Sequence, residues 1–265
     1  MQLTLSGRIV ETATGSAVPI AEFVKMAADN GYEAIDLRYS QLEPNHTEAQ
    51  LAETEEALSG TGIKVALMNA GGITDDDSLA SLSRVADAAE RLNCGIIRIS
   101  GPIEMMRKSA DLVAFRGMRV CSQIHTGGEY ETIASTKETL DAVGRESFGV
   151  IAEPANLLLA GQPYTGDAFA EIIDSVFGVN IQSIVLVSPG EGGVLTLRDG
   201  TEVHYARVPL GENSQMDTQG FFEGLKELGF SGFINVLEPF DAEEDSAQVA
   251  GHSAEVLHRR NMVNG

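Results

Sequence analysis

Apolar residues recur along this chain in two alternating rhythms. Short runs rich in Val, Ile and Leu read as strands, and between them lie longer stretches whose apolar positions return every third or fourth residue, as on one face of a helix. A first strand is expected near residues 3–10. A helix follows from Ile20 to Asn30, with Ile20, Phe23, Val24 and Ala27 on one face and Gly31 as its stop. The run EAIDLR is a second strand, 47–59 a helix ending at Gly60, and IKVALMN a third strand. The next helix carries the clearest stripe, Leu79, Leu82, Val85, Ala86, Ala89 and Leu92, with Thr74 as its expected N-cap and aspartates loading its first turn.

Further strands are expected over 95–100, 118–124, 148–152, 181–187 and 233–237. Helices are expected at 129–143, 169–176, 216–230 and 244–258, with a short one near 105–114. Strand starts near 33, 63, 95, 118, 148, 181 and 233 recur about every 30 residues, the length of a strand–helix unit. Eight such units close a (β/α)8 TIM barrel, here a single domain over residues 1–265. An open doubly wound sheet is the alternative, but ETATGSAVP after the first strand does not match a GxGxxG turn. The long seventh interval holds SPGEGG and then LTLRDGTEVHYARV, a hairpin turning at Asp199-Gly200.

Composition narrows the partners. Against 39 acidic side chains stand 18 basic ones, a net charge of −21, so polyanions such as nucleic acid and anionic membrane surfaces are disfavoured. The acidic surface also suits high salt or plain solubility. Of the 18 cations most are Arg, the residue that grips small oxyanions bidentately. Cys94 and Cys121 are too sparse for a disulfide framework and lack CxxC spacing. With no secretory pattern at the start and no apolar run long enough to cross a bilayer, a cytoplasmic protein is expected, with self-association into a homo-oligomer left open.

In a barrel the chemistry sits where strand C-termini meet. The polar residues at those ends are Asp36, Arg38, Asn69, Arg98, Ser100, Gln123, His125, Glu153, Asn156, Ser188 and Glu238. Glu153 and Glu238 stand out, because an acid ending an apolar strand is poorly explained by packing. No GxSxG occurs and neither Cys has a His beside it, so nucleophilic catalysis has little support.

The ordered segments GYEAIDLR, VCSQIHTG, GVIAEPANLLLAG, VPLGENSQMD and LKELGFSGFINVLEP resemble the sugar phosphate isomerase/epimerase superfamily with its xylose isomerase-like barrel, over nearly the whole chain. The resemblance implies one divalent cation (Mn, Mg, Co or Zn) held by a Glu after strand five, an Asp after six, a His after seven and a Glu after eight. Carried onto this sequence, Gln123 replaces the first, with His125 two residues later, and Glu153 replaces the second. Only Val185, Leu186 and Val187 are found where the His is expected, and Glu238 matches. Gln123, Glu153 and Glu238 are thus the metal candidates, and Glu153 and Glu238 the catalytic pair.

The resemblance further implies that His125, Gln123 and Arg207 contact a small sugar or sugar phosphate. The activity implied is isomerisation or epimerisation by proton transfer next to a carbonyl. The departures also admit a lyase or dehydratase using the same proton abstraction, or a catalytically silent sugar-binding or partner subunit. An apurinic-site endonuclease is disfavoured, since that relative would need a His-rich three-metal cluster and this chain has five His.

Overall fold

The structure, a computed structural model, describes residues 1–212, 215–239 and 241–260. Asn213 and Ser214 of the VPLGENSQMD segment lie outside them. Eight parallel strands close into a barrel: β1 (Gln2–Ser6), β2 (Ala34–Leu37), β3 (Lys64–Gly72), β4 (Ile96–Ser100), β5 (Arg119–Gln123), β6 (Phe148–Ala152), β7 (Val176–Ile181) and β8 (Phe233–Val236). The ring shuts where β1 pairs with β8 (Leu3 opposite Ile234) and with β2 (Leu5 opposite Ile35).

Around it pack α1 (Ile20–Asp29), α2 (Glu48–Leu58), α3 (Asp76–Arg91), α4 (Ile103–Ala114), α5 (Ile133–Val143), α6 (Pro154–Leu159), α7 (Thr218–Glu227) and α8 (Ser246–Arg259). Side-chain caps start several of these helices: Thr47 and Thr132 close capping boxes with Gln50 and Ser135, and Asp245 accepts from the first turn of α8. Asp75 rather than Thr74 caps α3, because its carboxylate reaches the Ser78 N–H at 2.8 Å.

Several expected boundaries move. The first strand ends at Ser6 and turns into a 3-10 segment, Gly7–Val10. Helix α4 is a full 12 residues, and α5 starts at Ile133 because Thr132 caps it there. The largest shift is at strand seven, which is Val176–Ile181 and not 181–187. The helix expected over 169–176 reduces to a 3-10 turn, Ile173–Ser175. The apolar run IVL, residues 184–186, instead joins the insert. There the segments 193–196 and 202–207 flank the Asp199-Gly200 turn and, with 184–186, form a three-stranded antiparallel sheet.

Alternation along the barrel strands stacks the interior in layers. The floor is an apolar cluster of Leu67, Ile96, Cys121, Ile151, Phe177 and Phe233, separate from the core under the helices. At Phe177 the β6–β7 register slips, so that Val150 faces Val176 while Ile151 faces Gly178. Above the floor lies a polar layer centred on Asp36, fully buried, which accepts from Ser6 Oγ (2.7 Å), Asn69 Nδ2 (2.8 Å) and Asn235 Nδ2 (3.1 Å). Asn235 also donates to Asn180 Oδ1 at 2.9 Å. Among the described residues no helix is long and apolar enough to cross a membrane.

Candidate active site

Above the polar layer the ends of β5, β6, β7 and β8 present four side chains in order: Gln123, Glu153, Gln182 and Glu238. Residues 123 and 153 lie two positions beyond the floor residues Cys121 and Ile151, so strand alternation carries them onto the interior face. Gln182 was not among the expected site residues. It follows β7 directly, and the late placement of that strand hid it. It occupies the strand-seven end for which the resemblance implies a His.

Glu153 is buried and clamped by both amides. Gln182 Nε2 donates to its Oε1 at 2.5 Å, and Gln123 Nε2 donates to its Oε2. Burial pushes its carboxyl above the ordinary glutamate range, against the pull of His125, Arg8 and Arg98 and of the Gln182 hydrogen bond. Glu238, also buried, is pushed up to about 7 by desolvation, with Arg207 and Arg8 opposing and Glu244 reinforcing. Arg8 is the cation whose field reaches both carboxylates. It lies just past the end of β1 and was absent from the expected set, although a polar residue after a strand end is the same signal that marked the others.

The remaining expected residues divide. Arg207 is exposed at the end of the insert and shares a cavity of about 470 Å³ with Glu238, Leu210 and His252. His125 is exposed, its Nδ1 2.8 Å from the Thr126 carbonyl oxygen. Asn156 is structural, accepting from the Thr126 N–H (3.2 Å) and hydroxyl (2.7 Å) to hold that loop. Ser188 lies in the insert, away from the barrel strand ends, because the strand expected to deliver it belongs to the small sheet. Arg38, Asn69, Arg98 and Ser100 line a second cavity of about 130 Å³, together with Glu11, Tyr39 and Gly71. Gly71 has φ +76°, and a Cβ there would collide with the Tyr39 hydroxyl.

Five buried polar atoms of the mouth and of the polar layer beneath it have no hydrogen-bond partner among the described residues: Gln123 Oε1, Gln182 Oε1 and Glu238 Oε1 above, and Asn180 Nδ2 and Asn235 Oδ1 below. Buried polar atoms are ordinarily satisfied, so these five are available to ordered water or to a bound molecule.

The donor set does not fit the implied divalent cation. Such an ion asks for several anionic or imidazole donors, whereas this mouth offers two carboxylates and two neutral amides. One of those carboxylates already accepts on both oxygens. Among the described residues no group of three or more His, Cys, Asp and Glu is placed to hold a metal. Two further cations, Arg8 and Arg98, also act on Glu153.

Barrel closure and a carboxylate-bearing mouth define the class, a TIM barrel with its polar site at the strand C-termini. The chain belongs to the xylose isomerase-like TIM barrel family, whose model matches residues 24–260. Solved structures similar to it include a D-allulose 3-epimerase from Methylomonas sp. (17% identity, 98% of each chain, TM-score 0.75). Another is the probable 3-DHS dehydratase AsbF from Bacillus anthracis (15% identity, 97% of this chain and 99% of that one, TM-score 0.74). A third is an IOLI protein with a bound zinc atom (15% identity, 98% of each chain, TM-score 0.75). No match was found among curated proteins.

Proposed function

We propose that the chain is an isomerase or epimerase of a polyhydroxylated carbonyl compound and moves a proton between carbons or faces with Glu153 and Glu238. The observation that carries this is the pair of buried carboxylates at the ends of β6 and β8, both held more basic than an ordinary glutamate, Glu238 at about 7. An acid–base group is most effective when its pKa lies near the working pH. One carboxylate takes the proton from the carbon next to the carbonyl, leaving an enediolate. The other, protonated, returns a proton to the opposite face of that carbon in an epimerisation; in an isomerisation the proton goes to the adjacent carbon while the hydroxyl proton passes to the former carbonyl oxygen.

In that reading Arg8 offsets the charge developing on the enediolate oxygen. The two glutamines fix the orientation of Glu153, and their unpaired carbonyl oxygens accept from ligand hydroxyls. His125 and Arg207 contact the ligand from the rim.

The similarity to an epimerase of D-allulose makes ketoses the first compounds to test, by proton NMR in D2O. Wild type is expected to exchange the hydrogen next to the carbonyl for deuterium, with a loss of about 100-fold or more in Glu153→Gln and Glu238→Gln. A ketose that binds and never exchanges would overturn proton transfer and favour the sugar-binding alternative.

A further inference from the structure

In a chain with an excess of 21 negative charges, the far side of the mouth is cationic. Arg38 and Arg98 wall the 130 Å³ cavity, and Arg8 lies within electrostatic reach of Arg38. The acids nearby are already engaged. Asp36 accepts from three side chains, Glu153 from two glutamines, and Glu11 from Arg38 Nε (2.7 Å) and Ser40 Oγ (3.3 Å).

The cations are not engaged to match. Among the described residues the guanidinium of Arg98 makes no hydrogen bond or salt bridge, and neither does that of Arg8. Arg38 commits only Nε, to Glu11. Burial, with repulsion from Arg207 and Arg38, depresses the basicity of Arg8, and burial with repulsion from Arg38 depresses that of Arg98, against the pull of Asp36 and Glu153. A largely buried guanidinium without a contact partner is a costly arrangement that a bound anion would relieve. At about 30 Å³ per water molecule the cavity has the volume of roughly four, suited to a single oxyanion group.

We propose that the cavity between Arg38 and Arg98 is a subsite for one oxyanion group of the ligand, a carboxylate or a phosphate, so that the mouth takes sugar acids or sugar phosphates in preference to neutral sugars. The guanidinium forks hold the anion bidentately, and Ser100 and Tyr39 line the same cavity. Glu11 stays on Arg38 Nε and leaves both Nη groups to the ligand. The subsite rests on the reading that this mouth binds a polyhydroxylated compound, and names the charged end of that compound.

The test is binding, by calorimetry and thermal shift, of inorganic phosphate, D-fructose 6-phosphate, D-gluconate and D-fructose to wild type, Arg98→Met and Arg38→Gln. Wild type is expected to bind one of the anions on the order of 10- to 100-fold more tightly than D-fructose, the factor of charge-assisted hydrogen bonds. Gluconate against the two phosphates tells carboxylate from phosphate.

Arg98→Met is expected to lose that preference without a fall in its ligand-free Tm, and Arg38→Gln, at the half-buried rim, to weaken it as well. Equal binding of fructose and the anions, an unchanged preference in both variants, or no binding of any anion at millimolar concentration would overturn the subsite. Deuterium exchange on a ketose with no anion preference leaves proton transfer standing and sinks the subsite. Anion preference without exchange on a bound ligand does the reverse.

Discussion

Replacing Glu238 by Gln tests the mouth's electrostatics without requiring a substrate. In the folded chain its carboxyl titrates at about 7 against an ordinary 4.5, chiefly because burial disfavours the charged form. The lift is worth about 3 kcal/mol, at about 1.4 kcal/mol per pH unit. Below pH 4.5 the side chain is protonated in both folded and unfolded chains and resembles Gln. Between 4.5 and 7 the unfolded chain ionises first, so the wild type loses stability as pH rises, and above 7 it carries the whole penalty.

The difference between Glu238→Gln and wild type is therefore expected to grow from near zero below pH 4.5 to about 3 kcal/mol in favour of the variant above pH 7. Since the sequence has no Trp, urea unfolding followed by far-UV circular dichroism at a series of pH values is the suitable assay. Taking the difference between the two proteins cancels the contribution of Glu153. A variant no more stable than wild type at pH 8, or a difference that does not vary between 4.5 and 7, would refute the argument that Glu238 is buried at a cost its neighbouring arginines only partly offset.

Two further outcomes follow from the site. The double variant Gln123→Glu/Gln182→His supplies the anionic and imidazole donors that the mouth lacks, and is expected to gain Mn²⁺ binding and a metal-dependent rise in Tm, whereas wild type shows neither. Asp36→Asn turns one acceptor of the polar layer into a donor facing Ser6, Asn69 or Asn235, and is expected to cost about 2–3 kcal/mol in urea unfolding, the range for a lost charge-assisted bond and a stranded donor.

The barrel was legible because its strand–helix period survives in the apolar pattern, and because FGVIA is a continuous buried run and IIRIS buries all three of its isoleucines. Glu153 and Glu238 were legible as acids closing such runs. Strand seven was not, and the reason is local. VFGVNI turns Gly178 and Asn180 toward the interior, where Phe233 fills the space beside the glycine and Asn235 meets the asparagine. The result is a weak strand followed by a stronger apolar run, IVL, which belongs to the small antiparallel sheet. Misplacing β7 concealed Gln182, and the 3-10 turn that ends β1 concealed Arg8.

The glutamine clamp on Glu153 also bears on how such a mouth could be reached by mutation. Glutamine codons differ from glutamate codons only in the first base and from histidine codons only in the third. The positions occupied by Gln123 and Gln182 are thus each a single base away from a cation-ligating residue. A lineage could cross between a mouth that recruits a metal and one that relies on its own arginines in very few genetic steps, with the barrel beneath it unchanged.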